Sequence, residues 1–204
     1  MKKKIIIYTL TSFILMGCGS STEKKVEKLI KEEIQSTLYY PESYDPVETT
    51  IDSAFSPLDN SIYLNHFILL TEISGELKKL EFRADRSKSS MAIWGNKGYY
   101  YSDFERAQYQ EAKKEYDNVL VQKKMLQNKV EEILLEMQEI VEGGVYFIGY
   151  KANHRYRSKT NTGEITINDL VILLDEDITE VIATYDADHY NGIQEAIEFI
   201  SNYQ

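Results

Sequence analysis

The chain has 204 residues, with 33 Asp and Glu against 23 Lys and Arg, a net charge of −10, three His, one Cys and 16 Tyr. That length suits one or two small domains with a real core, and 43% hydrophobic with 27% charged residues is the composition of a folded protein, which excludes wholesale disorder. A single Cys excludes an intramolecular disulfide and a Cys-rich zinc site, and the acidic balance argues against a general nucleic-acid binder, which needs a basic surface to displace counterions from phosphates.

Lys2, Lys3 and Lys4 open the chain, and an apolar run extends from Ile5 to Met16. The run is well short of the roughly 20 residues that cross a bilayer, so it reads as the apolar region of a signal peptide, with an ordinary secretory signal or a short N-terminal anchor as the alternatives. Next comes Leu15-Met16-Gly17-Cys18, with Leu three residues before the only Cys and a small Gly directly before it. This segment resembles the lipobox of bacterial lipoproteins, Met16 being its one unusual position. The resemblance implies cleavage after residue 17, a diacylglyceryl thioether on Cys18, and acylation of the new amino terminus, with palmitate among the acyl groups. Several acyl chains, at about 0.8 kcal/mol per buried CH₂, hold a protein on a membrane far better than one does. Cleavage would also remove three lysines and leave the body more acidic, repelled by an anionic surface. Nothing in Gly19-Ser20-Ser21 fixes the membrane or leaflet.

From Ser20 to about Tyr40, Val26, Leu29, Ile30, Ile34 and Leu38 recur at helical spacing, and Ser20 with Glu23 has capping-box spacing. The prolines of Pro41-Glu42-Ser43-Tyr44-Asp45-Pro46 stop this helix. Val47, Thr49 and Ile51 alternate with Glu48 and Thr50 as a short strand. Ser56-Pro57-Leu58-Asp59 has the pattern of a helix start, with an N-cap, Pro at the first position and an acid at the third. Tyr63, His66, Leu70, Ile73, Leu77, Leu80 and Ala84 then keep a 4-3 spacing, in which Gly75, about 1 kcal/mol less favourable than Ala, leaves room for a kink. The pattern breaks from Ser87 to Ser102, around Gly95 and Gly98. Ser102 and Glu105 form another capping box. In the long helix that follows, Tyr109, Ala112, Tyr116, Val119, Lys123, Leu126, Val130, Ile133, Met137 and Ile140 hold the heptad spacing of a two-helix, coiled-coil-like seam. At 1.5 Å per residue that stripe is roughly 48 Å long, an arm. Gly143-Gly144 ends it.

Val145 to Arg157 alternates strictly, with Tyr146, Ile148, Tyr150, Ala152, His154 and Tyr156 on one face and Lys151, Asn153, Arg155 and Arg157 on the other. Two more strands, Glu164–Leu174 and Ile178–Tyr185, complete a meander. Asn191-Gly192 opens a last helix with Ile193, Ala196, Ile197 and Ile200 inward. The expected fold is α+β: an antiparallel sheet of about four strands with flanking helices, interrupted by a long α-helical hairpin insertion. Residues 1–17 are a signal peptide, 18–22 a lipid-anchored tether, 23–57 with 144–204 a split α+β domain, and 58–143 the hairpin. The alternative to the hairpin is pairing of 103–142 with its copy in a dimer; the monomer is expected.

The segments Leu38-Tyr39-Tyr40-Pro41-Glu42-Ser43-Tyr44-Asp45-Pro46-Val47, Phe147-Ile148-Gly149-Tyr150-Lys151, His154-Arg155-Tyr156-Arg157 and Leu173-Leu174-Asp175 resemble a group of uncharacterised bacterial lipoproteins with a Pro-Xaa-Ser-Tyr turn, a helical middle and a terminal β-meander. No activity comes with that resemblance.

No hydrolase nucleophile elbow, zinc-protease, phosphate-loop or dinucleotide motif is present, so neither a catalytic residue nor a cofactor is expected. Asp186, Asp188 and His189, completed by Asp175 or Asp177, could ligate a metal but read better as a polar connection favouring the next helix; no metal is assigned. His154 with Asp169 reads as cross-strand packing ahead of an acid–base pair, and His66 as a packed seam residue. The Lys151, Arg155 and Arg157 row reads as a solvated sheet face ahead of an anion site. Trp94, Tyr99, Tyr100, Tyr101 and Tyr109 gather at the hairpin tip, where rigid amphipathic rings suit a sugar, peptide or protein partner; the bland reading is a satellite core closing a loop. The expected function is an interaction or scaffold module held on the membrane by lipid on Cys18. The alternatives are a solute- or glycan-binding lipoprotein using Tyr-rich surfaces, among them Tyr146, Tyr150 and Tyr156, and a cell-envelope hydrolase without a recognised motif.

Overall fold

The computed structural model describes residues 21–95 and 102–202. The segment expected to be a signal peptide, Cys18, and Tyr99 to Tyr101 lie outside the described residues. Helix α1 (Ser21–Thr37) is followed by a 3-10 turn (Pro41–Ser43), strand β1 (Asp45–Phe55), helices α2 (Ser61–Gly95) and α3 (Asp103–Glu142), strands β2 (Phe147–Lys159), β3 (Ile165–Leu174) and β4 (Val181–Asp186), and helix α4 (Ala187–Asn202). The strands form one antiparallel sheet in the order β1-β2-β3-β4. The α+β fold with a helical hairpin inserted between the first two strands is thus the observed one.

Alternation along β2 decides what covers each side of the sheet. Ile51, Ala152 and Ile172 pair across β1, β2 and β3, and this face packs on Val26, Ile30 and Ile34 of α1. Each of those three is at most 2% exposed, and burying such a side chain contributes about 2 kcal/mol. Val171, Leu173 and Tyr185 point the other way. They are closed off by Tyr190, Ile193 and Ile197 of α4 and by Leu64 from the first turn of α2. The two hairpin helices then pack on one another through Ile73 with Ile133 and Met137, and through Leu80 and Ala84 with Val119.

Several local expectations are corrected. Ser56–Asp59 is a turn, not a helix start. Asn60 caps α2, its Oδ1 accepting from the backbone N–H of Ile62 at 3.0 Å and of Tyr63 at 3.1 Å, because the Asp59 carboxylate is turned into the protein. Helix α2 runs unbroken through Gly75 and continues to Gly95, past the expected end at Ser87, since packing on α3 buries Ser87 as well. Val47 is exposed, because the β1–β2 register shifts between Pro46 and Glu48 and places it at a bulge. Ile178 lies in a turn at φ 55 with its side chain in the core, so β4 starts only at Val181. Helix α4 starts at Ala187, four residues before Asn191. Among the described residues no helix is long and apolar enough to cross a membrane.

Candidate functional site

Near the hairpin tip, Trp94 closes the last turn of α2 and Phe104 opens α3. Their rings meet edge to face, centroids 6.0 Å apart. The Ser102–Glu105 capping box is formed, each side chain bonding the other's backbone N–H, which fixes where α3 begins. The Tyr109 ring packs against Gly95 through one edge, where an added Cβ would stand 2.9 Å from the nearest ring carbon. Beside these rings, Arg83, Arg86, Ser90, Trp94, Gln108 and Glu111 line a groove of about 520 Å³. The Arg83 guanidinium is spent on its neighbours: it donates to Glu115 at 2.9 and 2.6 Å and to Gln122 at 3.3 Å. Arg86 and Glu111 are exposed and have no ion-pair partner among the described residues. Beside the indole, the exposed Arg86 guanidinium, a carboxylate and an amide can hydrogen-bond the rim of a polar ligand. Of the five tip aromatics expected to bind, the structure brings Trp94 and Tyr109 to the same end of the hairpin.

A second cluster was not visible as such in the sequence. Asp59 is 7% exposed. Its Oδ1 accepts from Lys151 Nζ at 2.8 Å and from the Tyr190 hydroxyl, and its Oδ2 accepts from the Phe55 N–H at 2.9 Å. The ammonium of Lys151 also stands 5.5 Å from the centre of the Tyr190 ring. Burial, then the bond to Asp59, push the Tyr190 hydroxyl far above its ordinary pKa, so it remains a proton donor and not a base. Every member of the cluster is engaged by another. It clamps β1, the hairpin base, β2 and α4 together next to a cavity of about 310 Å³ lined by Asp59, Asn60, Asp175 and Glu176. In the same turn the Ser56 hydroxyl is buried and has no hydrogen-bond partner among the described residues.

The remaining candidates resolve into structural roles. His154 is buried, with Nδ1 2.8 Å from the Thr49 hydroxyl and Nε2 3.0 Å from that of Tyr44. Burial lowers its pKa, and burial first among several causes raises Tyr44 to about 12. Asp169 faces the opposite side of the sheet and holds Arg155 in a two-pronged pair at 2.7 and 3.1 Å, so the His154–Asp169 dyad does not form. Arg157 pairs with Asp45 at 3.3 Å, and with Lys151 on Asp59 the whole basic row is neutralised by carboxylates. His66 meets Glu136 across the seam at 2.6 Å. Tyr156 is buried and Tyr150 half-buried in the α1-side core, whereas Tyr146 lies outside β2 and is half exposed; the three do not line one pocket. Asp186 caps α4, accepting from the N–H groups of Asp188 and His189 at 3.0 and 3.2 Å. Among the described residues no three His, Cys, Asp or Glu side chains are grouped to hold a metal ion.

No protein-family model, no curated protein and no solved structure matches this chain.

Proposed function

We propose that this chain is a lipid-anchored interaction module of the bacterial cell envelope, tethered through Cys18 and presenting its helical hairpin to a protein partner. The observation that supports this reading is apolar surface the hairpin does not need. The seam residues are already buried or half-buried between α2 and α3, yet large apolar side chains also stand on the outer faces. Phe82 is 72% exposed and Met125 66%, with Phe104, Val121 and Leu135 nearly as open. Val121 and Met125 stand one helical turn apart, and contiguous exposed apolar area is what a partner covers. The Trp94 groove favours a second reading, a glycan- or solute-binding lipoprotein. The hydrolase reading draws no support, since the ionisable groups around Asp59 are consumed by each other.

Photocrosslinking in intact cells, from residues substituted one at a time, tests the first reading. Positions 82, 125 and 135 on the hairpin should give discrete protein adducts, and position 166 on β3 should not. Equal yields from all four positions, or none from the hairpin, overturn it. Adducts only from position 108, competed by cell-wall saccharides, favour the groove instead. In parallel, the mass of membrane-extracted protein should show a lipidated Cys18; an unmodified thiol removes the anchor.

A further inference from the structure

The hairpin base carries an apolar groove of about 400 Å³ where α2, α3 and α4 meet, lined by Tyr63, Phe67, Leu134, Val141, Ile197 and Ile200 among others. Leu134, Val141 and Ile200 are each about half exposed. The helix segments that build it are one-sided in charge. These three, residues 61–77, 130–142 and 187–202, contain no Lys or Arg, and Lys78 and Lys129 lie just past their ends. The segments carry Glu72 and Glu76 on α2, five glutamates between Glu131 and Glu142 on α3, and Asp188, Glu195 and Glu198 on α4. Glu142 is held at the groove's edge by the amide of the lining residue Gln138, at 2.6 Å. An acidic rim disfavours an anionic membrane or a second acidic groove as occupant, because like charges brought together across an interface cost energy.

The complementary surface is present on the same chain. Further along α3, Val121 and Met125 stand one helical turn apart, both strongly exposed, and thus on one face. The stretch containing them has five lysines between Lys113 and Lys129 against Glu115 and Asp117. Lys124 and Lys129 are exposed and have no ion-pair partner among the described residues. A helix offering two apolar anchors at i and i+4 with flanking cations is what an apolar groove with an acidic rim accepts.

We infer that the base groove of one copy takes the Val121–Met125 face of a second copy, a head-to-tail contact that leaves each pair with one free groove and one free face. Such a contact is heterologous, so it propagates into a ring or a filament and does not stop at a symmetric dimer. This rests on the interaction-module reading and specifies its partner as the chain itself.

The test uses the full chain, one copy per nanodisc of neutral phosphatidylcholine, with Asn161→Cys carrying a donor or an acceptor dye. Mixed wild-type populations should show concentration-dependent energy transfer that falls as salt is raised, because rim charges are screened. Val141→Asp closes the groove and Met125→Asp spoils the face; both positions are exposed, so the fold is retained. Either variant alone should associate more than about tenfold more weakly, since each would bury an unpaired charge. Mixing donor-labelled Val141→Asp with acceptor-labelled Met125→Asp should restore transfer, because one intact groove then meets one intact face. A silent mixture, transfer that survives either variant, or none in the wild type overturns the inference. If wild-type transfer is absent while the hairpin crosslinks persist, the occupant is another protein and the interaction-module reading stands; loss of both removes that reading too.

Discussion

Asp59 accepts three hydrogen bonds while almost wholly buried, and among the described residues Lys151 is its only cationic partner. Replacing one partner of a buried pair strands the other charge, so Lys151→Met should destabilise by about 3 kcal/mol, whereas Tyr190→Phe, which leaves the ion pair in place, should cost about 1.5 kcal/mol. Denaturant titrations of the two variants check the order; a smaller loss for Lys151→Met would mean that Asp59 protonates or reaches water. The residue types were legible, but the partnership was not. An acid two residues after a proline reads locally as a helix-start acid, and its cation is 92 positions further along the chain. Gly149 illustrates the same limit. Within an alternating strand it looks incidental, yet its φ is +135 and an added Cβ would stand 2.1 Å from the Leu174 carbonyl oxygen, a clash only the folded sheet reveals.

At the scale of elements, the heptad repeat was the clearest signal in the chain. All ten expected seam positions of α3 are buried or half-buried, and Lys123 keeps its place by extending its ammonium to Glu81, 3.1 Å away. Ile133 is 4% exposed and packs with Ile73 and Met137. Ile133→Asp should therefore lower stability by about 3 kcal/mol, since it buries an unpaired charge. Thermal unfolding measures the loss. If stability is untouched and a dimer disappears instead, the seam lies between chains. What could not be read was the end of α2. Arg86-Ser87-Lys88-Ser89-Ser90 has weak helix propensity, and only the facing helix, through packing that buries Ser87, carries the helix on to Gly95.

For the molecule as a whole, the hairpin is less separable than its sequence suggests. Leu64, fully buried, belongs to the sheet core with Val171 and Leu173, and Asp59 to the clamp on Lys151. A chain in which a short Gly/Ser turn replaces residues 74–132 joins Ile73 to Ile133, which already pack together, and should unfold cooperatively. Replacing 58–143 removes Asp59 and Leu64 and should give a markedly lower denaturant midpoint. Equal midpoints would return the domain boundary to residue 58. The sheet's first ladder has a further property. Phe55 faces Phe147, so closing the β1–β2 pair from a random coil means closing a loop that contains the entire hairpin, at an entropic cost that rises with loop length. Helices pair through near neighbours and form early. Once α2 and α3 have zipped, Tyr63 and Met137 are together and the long loop has become a short one. The arm then sets the timetable of folding: strength in its seam governs how soon two strands at its foot find each other.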